Sequence, residues 1–125
     1  MVKSLAILFG IVFLAIGILG FVHGITKDDM LLGIFMVNPA HSVVHIASGV
    51  VALLCGISGF SASRTFFRIF GIIYAIVAVL GFYNGDQPLL GLISNNTADT
   101  WLHVVLAVVM LFIGFGAGRG TTATA

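Results

Sequence analysis

The sequence predicts an all-α integral membrane fold: a four-helix transmembrane bundle made of two tandem parallel helical-hairpin repeats. Three observations predict it. Of 125 residues, 60% are hydrophobic and only 7% are charged, with a mean hydropathy of +1.23. A soluble domain carries about 25% charged residues to wet its surface, so the solvent this composition suits is lipid. The few charges are spaced to leave four apolar runs, each near the roughly 20 residues needed to cross a hydrocarbon core. Finally, one half of the chain matches the other residue against residue.

The first span is expected at about 4–22, just after Lys3. It is read as a retained helix and not a secretory leader, because no small-residue cleavage site precedes Gly24 and the same helix recurs later. Lys27, Asp28 and Asp29 follow it. The second span, about 39–59, opens on Asn38-Pro39. Asn is a favoured N-cap, and Pro at the first helical position gives up an N–H that has no helical partner anyway. The third span, about 65–83, overlaps at its first turn a connection that carries the basic pair Arg64 and Arg68. The fourth, about 97–116, starts after Asn96 as cap, with Asp99 at the capping-box position. The apolar pieces 31–37 and 89–93 are too short to span. They are expected as short helices or folded loops lying over the outer end of the bundle. The chain is read as one membrane domain, with repeat 1 at about 4–60, repeat 2 at about 65–118 and a flexible tail at 119–125.

The repeat rests on constant offsets. Phe9-Gly10-Ile11 answers Phe70-Gly71-Ile72, and Leu19-Gly20-Phe21 answers Leu80-Gly81-Phe82, 61 residues apart. After a shorter second loop the offset becomes 58: Asn38 answers Asn96, His41 answers Asp99 and His45 answers His103. Shared glycines in apolar helices arise cheaply, whereas shared polar residues at one offset do not. Two-span repeats insert in the same orientation, related by a pseudo-twofold axis along the membrane normal. Spans 2 and 4 are then diagonal, with equivalent residues at one depth.

An even number of spans places both termini on one side. Lys3, Arg64, Arg68 and Arg119 fall on that side and only Lys27 opposite. The positive-inside rule therefore predicts a multi-pass protein of the bacterial inner membrane with both termini cytoplasmic. A net charge of +1 points to no nucleic-acid partner. The single cysteine, Cys55, excludes an internal disulfide. No phosphate loop, nucleophile–base arrangement, CxxC or nucleotide fingerprint is present, so the sequence carries no enzyme signature.

All four histidines gather at the outer end: His23 ends span 1, His41 and His45 open span 2, and His103 opens span 4. Residues i and i+4 share a helical face, so His41 with His45, and Asp99 with His103, each point one way. Turned to the axis, the four converge, with His45 and His103 about one and a half turns below the helix ends. Polar side chains at that depth usually face the interior and mark a functional site. Imidazole with carboxylate suits transition metals such as Zn, Cu or Fe, and two histidines at one depth also suit bis-histidine ligation of haem b. His23, Asn84 (its counterpart), Asn38 and Asn96 are supporting candidates that would orient ligands. The same residues also suit plain inter-helix hydrogen bonding.

The Leu-Gly-Phe turn, the Asn-Pro-Ala-His-x-x-x-His element at 38–45 and the second helix pair with Asp-x-x-x-His at 99–103 resemble a family of small bacterial four-helix membrane proteins, grouped as a domain of unknown function. The resemblance covers about residues 4–117 and implies a bacterial inner-membrane protein with a four-helix fold. It implies no activity, and it implies that His23 is not a required ligand. A looser likeness to DoxX-like membrane proteins implies a redox setting.

The leading expectation is a protein that holds a metal ion or haem on His45 and His103, with His41 and Asp99 as further ligands or as groups that orient the ligands. The alternatives are a structural or partner-binding membrane protein and a transporter or channel subunit, which with four spans would need a homo-oligomer. The lipid bilayer is the expected partner, and a small-molecule ligand is left unassigned.

Overall fold

A computed structural model of the protein describes residues 1–116. The tail expected at 119–125, with Arg119 in it, lies outside the described residues. Four helices account for most of the rest: α1 (Val2–Leu19), α2 (Pro39–Ser58), α3 (Phe60–Asn84) and α4 (Thr97–Gly116). Each is long and apolar enough to cross a membrane, which fits a multi-pass membrane protein. Their outer faces are apolar too: Ile57 is 73% exposed, Phe112 74% and Val79 66%. An exposed apolar surface of that kind suits lipid and not water.

The closest packing is α1 on α2 and α3 on α4, with lighter contact of α2 and of α1 on α3. Glycines allow the close approach. A Cβ built on Gly10 would stand 2.9 Å from the Gly49 carbonyl, and one on Gly49 would stand 2.8 Å from the Gly10 carbonyl. In the second pair Gly114 sits against the Arg68 backbone, where a Cβ would meet the Arg68 nitrogen at 2.8 Å. The end of the bundle around Gly59 is filled by aromatics: Phe66 and Phe67 are buried, and the Phe9 ring meets Phe67 edge-on at 5.2 Å.

Two boundaries differ by three residues or more from the sequence expectation. α1 stops at Leu19, three residues early. The following turn hydrogen-bonds from Phe21 N to the Ile18 carbonyl, and the Thr26 hydroxyl donates to the Leu19 carbonyl at 2.8 Å, ending the helix there. α3 starts at Phe60, so Arg64 and Arg68 lie on a helix and not in a loop. The connection from α2 is Gly59 alone, at φ +135°, a conformation open to glycine. The Ser63 hydroxyl fastens this corner by sharing its one hydrogen between the Gly59 and Cys55 carbonyls, at 2.7 and 3.0 Å. Arg68 Nε donates to the Gly114 carbonyl at 2.6 Å, and its guanidinium lies over the Phe115 ring.

The pieces 31–37 and 89–93 are folded loops; neither is a short helix. β1 (Thr26–Lys27), β2 (Met30–Leu31) and β3 (Phe35–Met36) form a small antiparallel sheet in the order β1-β2-β3. In the second loop Leu89 pairs with Ile93, 58 residues after the pairing of Leu31 with Phe35. The turns match as well, with positive φ at Leu32 and Gly33 and again at Leu90 and Gly91.

Both caps form as expected. Asn38 Oδ1 accepts from His41 N at 2.8 Å, and Asn96 Oδ1 accepts from Asp99 N at 2.9 Å. Each amide then reaches the other half: Asn38 Nδ2 donates to the Leu92 carbonyl at 2.9 Å and Asn96 Nδ2 to the Ile34 carbonyl at 3.0 Å. Asn38→Ala and Asn96→Ala are each expected to cost about 1 kcal/mol, the usual value of a cap. The double variant should lose at least the sum, because each single variant leaves the reciprocal tether. Thermal unfolding in detergent measures this.

Candidate metal centre

Pro39 starts α2 one residue after the Asn38 cap, which places His41 on the first turn and His45 one turn further along the same face. Both side chains enter the bundle. His41 Nε2 lies 3.2 Å from His45 Nε2. From α4, His103 meets them, with its ring centroid 5.6 Å from that of His41 and 5.9 Å from that of His45. The three residues are 3%, 1% and 3% exposed. One nitrogen of each lies within 4.8 Å of one nitrogen of the others.

The donor set fits a cation. Zn–N bonds of ~2.0–2.1 Å at a tetrahedral angle put two nitrogens roughly 3.3 Å apart, close to the His41–His45 spacing. Nδ1 of His41, His45 and His103 and Oδ1 of Asp99 are buried side-chain atoms with no hydrogen-bond partner among the described residues. A buried polar group left without a partner costs about 1–3 kcal/mol; these Nδ1 atoms lie across their rings from Nε2, so an ion held on the Nε2 atoms would orient the rings but leave Nδ1 to other groups. An N–H···N bond between His41 and His45 would also suit 3.2 Å, but it leaves out His103, whereas the approach of one nitrogen from each of the three rings suits a shared ion.

Asp99 is 1% exposed and borders a cavity of about 180 Å³ together with His41 and His45. Its Oδ2 accepts from Asn96 N at 3.1 Å, completing the reciprocal capping box with the Asn96 side chain. The carboxylate is therefore partly turned back to its own helix start and stays outside the close trio. The longer imidazole of His41 reaches the centre, and Asp99, 58 residues later in the chain, does not. Asn38 and Asn96 hold the helix turns that present His41 and Asp99 and touch no imidazole nitrogen.

His23 and Asn84 are not brought to the cluster. α1 ends before His23, which is exposed and lines a separate cavity of about 330 Å³ beside Asp28 and Asp29. The Asn84 amide points to the Pro88 carbonyl at 3.4 Å. Haem is not supported either. The His41 ring, 5.0 Å from that of His45, occupies the space beside the His45–His103 pair. The cavities flanking the cluster are about 180 and 220 Å³, and pockets for drug-sized ligands, smaller than a haem, start near 300 Å³.

Two neighbours were not anticipated from the sequence. The Tyr74 ring on α3 stands 5.5 Å from that of His103 and 6.3 Å from that of His45. Ser48 Oγ donates its one hydrogen to the Val44 carbonyl at 2.8 Å, so in its 2.9 Å bond with Ser48 the Tyr74 hydroxyl is the donor. The available signal was the run His41, His45, Ser48, which follows the i, i+4, i+7 stripe of one helical face. Phe13, 5.6 Å from the His45 ring, covers the cluster from α1.

A family model described as "Domain of unknown function (DUF4383)" matches residues 3–116 of the chain. No curated protein and no solved structure matches it. These comparisons give no link to DoxX-like proteins.

Proposed function

We infer that this chain, which belongs to the DUF4383 family, a domain of unknown function, spans a membrane and holds a transition-metal ion on His41, His45 and His103. The observation that carries the reading is the trio itself: three nearly inaccessible imidazoles from two helices, each with a nitrogen within 4.8 Å of the others. Neutral imidazole is the ligand of choice for Zn, Cu, Fe and Ni. Three nitrogen ligands and no close fourth leave one coordination position open, the pattern of reactive and not purely structural sites. Asp99 lies near enough to share a cavity with the ligands and would balance the charge of the ion or orient a group bound to it.

The reading extends to the architecture. We place the two helix pairs as tandem repeats, supported by the constant offsets, the reciprocal Asn38 and Asn96 bonds and the matching loop turns. Lys3, Arg64 and Arg68 lie at the opposite end from the histidines. That end is assigned to the cytoplasm of a bacterial cell by the positive-inside rule, which puts the metal near the outer surface.

The test is elemental analysis of detergent-purified protein after metal loading and desalting. Stoichiometric retention of Zn or Cu is expected, and retention no higher than in a His41/His45/His103 triple-Ala variant would refute the reading. Asp99→Asn should weaken metal affinity about 10–100-fold, the usual effect of losing a group that supports a ligand. It should leave the helix start intact, because the Asp99 backbone N–H still reaches Asn96 Oδ1. Competition with a chromophoric chelator reads the affinity.

A further inference from the structure

A second cavity, of about 220 Å³, lies between α2 and α3. All three imidazoles border it: His41, His45 and His103 form one end, and the rest of its wall is mainly aliphatic and aromatic side chains such as Ile73 and Val77. Three of its lining residues, Val44, Ala47 and Ile73, are exposed on the outer apolar face of the helices. The α2–α3 contact is also much lighter than that within either helix pair. A mouth at this seam opens toward lipid if the helices span a membrane.

We propose that this cavity is a binding site for a small, uncharged, largely apolar ligand that enters sideways from the bilayer and occupies the open position of the metal. The inference rests on the metal reading above and adds the class of ligand and its route. Size bounds the occupant, since an apolar cavity of about 150 Å³ accepts benzene. The volume here therefore admits one substituted ring and excludes larger groups. Chemistry bounds it too. Apart from the ion itself the wall offers no charged partner, so a cationic ligand would be uncompensated and repelled, and an anion would have to cross an apolar mouth to reach the ion. The hydroxyl of Tyr74 is already engaged with Ser48, which leaves the metal as the main polar attraction.

The test uses full-length protein in detergent, loaded with Co(II), whose visible bands report coordination. The Co(II) content is measured first. With stoichiometric Co(II), 1-methylimidazole should shift the visible spectrum saturably, and 1-tritylimidazole, whose added phenyl rings exceed the cavity, should be at least tenfold weaker. Two variants should each weaken 1-methylimidazole at least tenfold with Co(II) content unchanged: Ala47→Phe at the exposed mouth and Val77→Phe deeper in. Ala47 faces outward, so its variant tests the route even where the deeper one misfolds. Bound Co(II) with no response to 1-methylimidazole, equal response to 1-tritylimidazole, or no effect of Ala47→Phe overturns this inference and leaves the metal reading standing. Failure to bind Co(II), Zn or Cu at all overturns both.

Discussion

His45→Ala is expected to abolish stoichiometric metal binding, with affinity falling by well over 100-fold. The estimate starts from the about 10–100-fold cost of losing a group that merely supports a ligand; removing a ligand costs more. His45 is the most enclosed of the three histidines, at 1% exposure, and its ring lies within 6 Å of both other rings. Its removal leaves His41 and His103 with ring centroids 5.6 Å apart and no third nitrogen. His103→Ala should act as strongly, because it removes the α4 contribution, and His41→Ala less so at the helix start. Fold and chemistry separate cleanly in this series. An imidazole that only glued helices together would be replaced by Gln with little loss, whereas a ligand would not. Metal titration beside thermal unfolding of His45→Gln therefore distinguishes the two roles: the expected result is a lost metal with an unfolding temperature, measured without metal, close to that of the parent.

Gly49→Ile is expected to destabilise the bundle by about 3 kcal/mol or more, at or above the upper range for overpacked cores. The obstruction at Gly49 is backbone: a Cβ would stand 2.8 Å from the Gly10 carbonyl oxygen and 2.9 Å from Leu14 N. A carbonyl cannot rotate out of the way as a side-chain tip can, so α1 and α2 must separate. Without a hydrophobic drive between helices in lipid, close backbone approach at small residues supplies much of the association. Gly49 is one turn from His45, so the displacement should also weaken the metal. Gly24→Ala is the control, since a Cβ there meets nothing within 4 Å. Denaturant titration in mixed micelles should show a large loss for Gly49→Ile and almost none for Gly24→Ala.

The parts of this molecule that follow local rules were legible in the sequence. Asn38-Pro39 marked the start of α2 because cap and N1 chemistry are set within a few residues, and the observed helix begins at Pro39. The i, i+4 spacing of His41 and His45 gave a shared face, and the pairing of His45 with His103 expected from the 58-residue offset is met as a ring contact at 5.9 Å. The parts set by distant partners were not legible. The end of α1 is fixed by Thr26 returning to the Leu19 carbonyl, seven residues back, and nothing in the apolar run signals it. The early start of α3 depends on Ser63 reaching Cys55 across the corner. The loop turns use positive φ at Leu32 and Leu90, residue types that give no hint of that conformation. The symmetric expectation of four converging groups failed at one place, where Asp99 turned to its cap and left three histidines as the centre. Tyr74 read as one more aromatic in an apolar helix, and only packing puts its ring beside His103.

The central claim is that three imidazoles share one ion. X-ray absorption at the zinc edge of the metal-loaded protein in detergent tests it most directly. The expected result is a low-coordinate shell of light atoms at ~2.0–2.1 Å, with the multiple-scattering pattern of three imidazoles. A spectrum of hydrated or oxygen-only zinc, with no imidazole pattern, would contradict it.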